Sequence, residues 1–405
     1  MSVVSWLDFR ADDLARARDF IKAFQEEGVL DELGFLALQT RFSDVFHPAT
    51  STLMRSSRYL YFVAGIYRQL EREGVSANNV RAEARRRQDA LREVLATTET
   101  VGVIGRDATL EVKQLPSAVY WSSLRSLGMF VGGTSEAAYQ SSFDEFRRER
   151  RGYVDDDKVA QADVSVVNWD PDLPLPAFLS ADGTVRPGTT FRLTKQEATD
   201  LARRYHQLFG ASLLSLLLKR ELADTPYPWM CPRPPETLKP YLEHGKMLSL
   251  LARGTTLQYY QLVIEEQDRL GIETPGDIVR PAFAQWWSEA RHDLRGWRPE
   301  QLTTLPAVAA GLRHERYADV RFMSDWLRRM EASASAASLL DDVPARKHVR
   351  DRELAVKPLK ARLKHPKHLK QWRAGKIGQT PYQLDYRHPV GSRFVSEILA
   401  GIARR

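Results

Sequence analysis

The chain is predicted to fold as a mainly α, multi-helical, multi-domain protein with a few short β-strands. Three observations carry that prediction. Apolar residues recur three and four positions apart along most long segments, the period of a half-buried helix. Capping signatures stand at segment starts. The clearest is Thr194-Lys195-Gln196-Glu197, whose hydroxyl and carboxylate can satisfy the orphan amides of a first turn. Prolines and glycines cluster between the segments, notably at 226–235 and 275–281, where the proline ring removes a backbone donor and ends a helix.

Taken in order, residues 11–37 read as a helix, with Asp12 and Asp13 in the acid-favouring first turn and Leu14, Phe20, Ile21 and Phe24 at helical spacing. Pro48 breaks the chain. Ser51 to Glu71 reads as a second helix with Leu53, Leu60, Val63 and Tyr67 on one face, and 81–97 as an arginine-rich third. Val101 to Gly105 is a tight turn. Pro116 and Ser117 then open a helix through Tyr120, Trp121, Leu124 and Leu127, which Gly128 ends. The stretch near 100–130 admits two readings: a winged-helix-like unit with a groove-reading helix, or a helical hairpin packed in a core.

Residues 147–190 change character, from arginines to aspartates and then to prolines at 171, 174, 176 and 187. They read as a connector with short strands, Val164 to Val167 among them. Helices resume at Thr194 and Ser212, at 236–252 and 255–270, around Trp286 and Trp287, and at 315–334, with a small-residue hinge from Ala332 to Ser338. An apolar helix through Phe394, Val395, Ile398, Leu399 and Ile402 closes the chain. The expected division is 1–146, a helical domain; 147–190, the connector; 191–338, a larger helical domain; and 339–405, a folded basic module.

Composition narrows the function classes. The single cysteine, Cys231, has no partner for an internal disulfide. No run approaches the roughly 18 apolar residues needed to span a bilayer, and the N-terminus carries charge too early for a secretory segment, so a cytoplasmic protein without a membrane partner is expected. Gly245-Lys246 and Gly375-Lys376 lack the upstream glycine and the following Ser or Thr of a phosphate-binding loop, and no Gly-x-Ser-x-Gly elbow occurs. No cofactor is implied. Asp107, Glu111 and Lys113 have the acid, acid-x-Lys order of a Mg²⁺ nuclease, in which two carboxylates hold the ion and the lysine stabilises attacking water. Composition alone yields about two acid-x-Lys triplets, and two occur, so the pattern carries little weight. His365-Pro366-Lys367 begins a phospholipase-type nuclease motif, but Trp372 stands where the motif needs Asp. His365 and His368 have a metal-compatible spacing with no third ligand nearby.

The strongest signal is charge. Between Arg346 and Lys376 there are twelve Lys or Arg and two acids, and residues 377–405 add +2. The whole chain carries +7, so residues 1–345 carry about −5. Lys357, Lys360, Arg362, Lys364, Lys367, Lys370, Arg373 and Lys376 are spaced for one or two helices with a charged face, and Leu359, Leu363, Leu369 and Trp372 for the buried one. Such a density of cations neutralises phosphates and releases counterions. The expected partner is the phosphate backbone of DNA or RNA. An acidic protein subunit and simple solvation are the alternatives. Arg55, Arg58 and Arg68, interleaved with Tyr59, Tyr61 and Tyr67, form a weaker candidate for single-strand stacking, against a reading as core tyrosines.

Several motifs taken together resemble a bacterial family catalogued as a domain of unknown function. They are Ser5-Trp6-Leu7-Asp8, Asp31-Glu32-Leu33-Gly34, His47-Pro48-Ala49-Thr50-Ser51-Thr52 with Arg58-Tyr59 and Ile66-Tyr67-Arg68, and Gly102 to Gly105 with Leu115-Pro116-Ser117 and Tyr120-Trp121. Further along stand Phe191-Arg192-Leu193-Thr194 with Glu197-Ala198, Ser212-Leu213-Leu214, Arg352-Glu353, Ala361-Arg362-Leu363, Trp372 and Leu384-Asp385-Tyr386-Arg387. The chain departs from the pattern at His47 and Ala49, where Phe and Gly are expected, and at Val63-Ala64-Gly65, where a Pro-Trp pair is expected. The resemblance implies an accessory protein of anti-phage defence gene neighbourhoods, beside helicases, nucleases or methyltransferases. Joined to the charge, it gives the expected function: a non-catalytic nucleic-acid-binding subunit of a defence complex, with DNA the first choice. An assembly protein that docks an acidic partner, and a Mg²⁺ nuclease, are the alternatives.

Overall fold

The computed structural model describes residues 32–106, 114–146, 168–174, 176–222, 225–309, 317–372 and 383–404. The fold is mainly helical. Among the described residues β structure is limited to two isolated antiparallel bridges, Phe130 with Trp169 and Leu179 with Val185. The expected strand at Val164 to Val167 and most of the expected helix at 11–37 lie outside the described residues. No helix among them is long and apolar enough to cross a membrane. Packing defines two units that interleave in sequence. One holds the residues through Val45 together with Cys231–Tyr386, and the other holds Phe46–Met230 together with Arg387–Arg405. Breaks at 146, 190 and 338 divide the chain differently, because each falls inside one of these units.

In the unit built from Phe46–Met230 and the C-terminal helix, the second expected helix starts late, at Tyr59, and runs to Arg72. The preceding serines take no helical conformation because side chains already hold their amides. The Tyr120 hydroxyl accepts from Arg55 N (2.8 Å) and Ser56 N (3.2 Å), and Glu397 Oε2 accepts from Ser57 N (2.7 Å). Helices Ala77–Thr98, Pro116–Ser126 and Glu136–Ser141 follow. Val119, Tyr120, Trp121, Ser123 and Leu124 are all buried, so the Pro116–Ser126 helix packs one face into the core, while Ala118, Ser122 and Ser126 stay exposed on the other. Tyr67, Trp121, Phe130, Tyr139 and Trp169 form an aromatic cluster with edge-to-face pairs 5.1–6.1 Å apart. Thr194 caps the Lys195–Leu208 helix with the reciprocal Glu197 bond that the sequence announces. Glu197 also receives Arg58 Nε at 3.0 Å in a buried ion pair.

The C-terminal helix His388–Ile402 of the same unit carries a buried histidine pair. His47 Nε2 lies 2.9 Å from His388 Nδ1, and His388 Nε2 lies 2.7 Å from the Thr225 carbonyl oxygen. A carbonyl only accepts, so His388 is protonated at Nε2 and its Nδ1 accepts from His47. That leaves His47 Nδ1 bare, without a hydrogen-bond partner and facing Gly391. Burial above all, then the charges of His388 and Arg387, holds His47 well below the usual imidazole range, and burial pushes His388 down to about 4. A second proton would set two N–H groups face to face. Both folded-state values lie below the unfolded one, so the unfolded chain takes up protons first as pH falls. Stability is therefore full above about pH 6.5 and is lost on the way to pH 4, by about 2 kcal/mol at pH 5 for His388. The urea midpoint is expected to drop between pH 7 and pH 5, with a smaller drop in His388→Gln. Equal drops in the two proteins would refute this account.

The other unit is organised on a 31-residue helix, Lys239–Arg269. Two helices with a break near 252–255 are expected there, but the chain continues through Gly254, against which the Trp286 ring is packed. Helices Val279–Leu294, Tyr317–Ala332, Ala336–Leu340, Val343–Val356 and Pro366–Gln371 belong to the same unit. Buried polar groups are paired across it. The Trp286 indole donates to Leu250 O (2.8 Å) and the Trp326 indole to Gln258 Oε1 (2.8 Å), while Gln258 Nε2 donates to Leu339 O (2.8 Å). The small-residue hinge is partly helical: Ser335 caps Ala336–Leu340.

Candidate nucleic-acid interface

The basic segment folds as a clamp onto the 31-residue helix. The Val343–Val356 helix ends at Lys357, whose amide donates to Glu353 O at 2.8 Å. Two turns follow, and then the short Pro366–Gln371 helix. The Glu353 carboxylate, itself fully buried, accepts from Tyr259 Oη (2.6 Å), Arg362 N (2.8 Å) and Leu363 N (3.1 Å). It thereby supplies the acceptors that the irregular backbone lacks. Gln267 Nε2 donates to the carbonyls of Leu369 (3.0 Å) and Trp372 (3.1 Å), and the Trp372 ring meets Tyr260 edge-on at 4.9 Å. The Tyr259 phenol is held neutral well above its usual range, by burial first and then by the charge of Glu32.

This scaffold separates the eight candidate cations. Arg362 is buried, with its guanidinium on Glu32 and on Tyr259 Oη (3.0 Å). Lys357 Nζ also reaches Glu32, at 2.8 Å. These two charges are spent inside the unit and face no solvent partner. Lys360, Lys364, Lys367 and Lys370 are exposed and carry no ion pair among the described residues. Lys367 and Lys370 stand three residues apart on the short helix, on the side away from buried Leu369. Arg373 and Lys376 lie outside the described residues. The predicted apolar face holds for Leu369 and Trp372 and fails at Leu359, which is 84% exposed. It sits in a turn, where the helical spacing that assigned its face does not apply.

The other candidates are accounted for. Asp107, Glu111 and Lys113 lie outside the described residues. The His365 and His368 rings are 6.3 Å apart, and among the described residues no group of three His, Cys, Asp or Glu is placed to hold a metal ion. In the other unit, Arg58 and Arg68 are buried, as are Tyr59, Tyr61 and Tyr67, which leaves Arg55 as the exposed member of that set and no aromatic surface for stacking. The Ala77–Thr98 helix pairs its arginines locally, Arg86 with Glu83 (2.9 Å) and Arg85 and Arg92 with Asp89, so its face is largely self-neutralised. Sequence reasoning missed Glu32 and Glu353, the acids that fix the basic segment. Glu32 lies more than 300 residues away along the chain, and no local signal joins the two.

The profile of a family of unknown function (DUF6361) matches residues 1–401. No curated protein and no solved structure matches the chain.

Proposed function

The chain belongs to the DUF6361 family of unknown function, and for this member we propose a nucleic-acid-binding role, with DNA as the first partner. One observation carries the reading: four lysines, Lys360, Lys364, Lys367 and Lys370, project unpaired within eleven residues from a segment fixed by buried acids. The buried acids fix the backbone that carries these lysines, so little backbone entropy is lost on contact. Phosphate contacts of this kind position a duplex without reading its sequence, so tight sequence preference is not part of the proposal. Glu32 withdraws Lys357 and Arg362 from the interface, which reduces the eight-cation patch to these four and any further cations from 373–382. A setting as accessory subunit of an anti-phage defence complex is supported by the motif resemblance.

Lys→Glu at all four positions is expected to abolish binding of labelled duplex DNA and to change the unfolding free energy by no more than about 2 kcal/mol, about 0.5 kcal/mol for each exposed position. Lys→Ala at all four should reduce the slope of log affinity against log salt by up to about 3.6. Retained affinity in the glutamate variant would sink the assignment. Displacement of DNA by an acidic protein partner, with no DNA binding in its absence, would transfer these lysines to protein docking.

A further inference from the structure

We propose that Leu359 is a wedge, inserted between base pairs of duplex DNA while the lysines that follow it in the chain hold the phosphates. The inference rests on the nucleic-acid reading above and extends it to the form of the DNA in the complex.

The argument begins with the turn. Lys360 N donates to Lys357 O at 3.0 Å, which closes a four-residue turn over Lys357, Pro358, Leu359 and Lys360. Proline at the second position fixes its own φ near the value the turn requires. Leu359 stands at the third position, at the corner, with its side chain 84% exposed, the largest value among the exposed large hydrophobic side chains described. Pro358 beside it is exposed as well. A scattered exposed leucine needs no explanation. This one stands on a built mount. The turn enters from the Glu353 carbonyl at the helix end, Lys357 Nζ is tied to Glu32, and His365 Nε2 donates to Pro358 O at 3.2 Å. The turn leaves into Ala361 and Arg362, both buried. The base is therefore rigid and the tip apolar.

Charge selects the occupant. The residues that follow the tip include Lys360, Lys364, Lys367 and Lys370, all exposed and unpaired among the described residues. Lys360 is the next residue after Leu359 and the other three follow within eleven positions, so a partner that covers Leu359 meets cations beside it in the chain, which suits a polyanion. A duplex offers both requirements together: phosphates on the outside and an apolar gap between stacked bases. Leucine and proline are among the side chains that enter such gaps from the minor groove, unstack a step and bend the helix. Pyrimidine–purine steps open most easily, so the wedge selects deformable DNA without reading bases. A-form RNA has a wide, shallow minor groove and offers a poorer fit.

The test uses the full chain and a 20-base-pair DNA duplex with a donor and an acceptor dye at its ends. Wild type is expected to bind with a steep salt dependence and to raise energy transfer by bending the duplex. Leu359→Ala should bind about tenfold more weakly, with the salt slope unchanged and the rise in energy transfer lost. Leu359→Phe should preserve the bend. Salt-dependent binding without bending, or bending unaffected by Leu359→Ala, would overturn the wedge and leave the lysine contacts standing. Absence of any DNA binding by wild type would overturn both readings. Binding to vesicles of phosphatidylserine and phosphatidylcholine, weakened by Leu359→Ala and without binding to the duplex, would also overturn the proposal and make the leucine a membrane-surface contact.

Discussion

Gly254→Ala is expected to lower the stability of its unit by about 2–3 kcal/mol, read as a lower urea midpoint. Helix propensity alone predicts the opposite sign, because alanine inside an exposed helix is favoured over glycine by about 1 kcal/mol. Packing decides. A Cβ at this position would stand 2.2, 2.5 and 2.6 Å from three carbons of the Trp286 ring. The ring cannot yield cheaply. It is fully buried, its indole N–H is fixed to Leu250 O at 2.8 Å, and it lies against Phe283 (5.0 Å) and Trp326 (5.6 Å). The clash therefore has to be met by displacing either the backbone of the long helix or the aromatic layer. In a Trp286→Leu background, Gly254→Ala should cost less than it does in wild type, since the smaller side chain vacates the Cβ position. A midpoint unchanged or raised in Gly254→Ala would show that the helix and Val279–Leu294 are less closely packed than described.

Glu353→Ala is expected to cost about 3–5 kcal/mol, the range for breaking a buried charged group away from its partners. Three donors lose their acceptor at once: Tyr259 Oη, Arg362 N and Leu363 N. The first two are poorly placed to find water, because Tyr259, Arg362 and Glu353 itself are all buried. Unmade buried hydrogen bonds cost more than made ones contribute. The effect should be local before it is global. Amide exchange at Arg362, Leu363 and the following helix should accelerate more than exchange at Val263 or Ile264 in the centre of the long helix. Because the lysines project from the segment that Glu353 fixes, the proposed DNA binding predicts a fall in affinity as well, through loss of pre-organisation. Uniform acceleration across the unit, with no excess at 357–372, would show that the carboxylate acts only on global stability.

Much of the local structure was legible. The helix spacing, the capping box at Thr194 and Glu197 and the proline breaks are short-range signals, and each concerns groups within a few residues of one another. The departures share a cause. Ser51 to Ser57 read as helical on spacing, but Tyr120 and Glu397 bind their amides from elsewhere in the chain. Residues 236–252 and 255–270 read as two helices, but one helix runs through Gly254, whose missing side chain makes room for the Trp286 ring. Lys357 and Arg362 read as surface charges, and Glu32 takes both.

The helical character of the chain and the concentration of positive charge near the C-terminus follow from residue order alone, because periodicity and composition are properties of the linear order. The tertiary structure decided which of those charges face solvent, which leucine stands exposed among them, and which histidines meet in the core. Those outcomes depend on pairs brought together across up to 341 positions, and a buried cation is stable only beside the particular acid that long-range packing delivers to it.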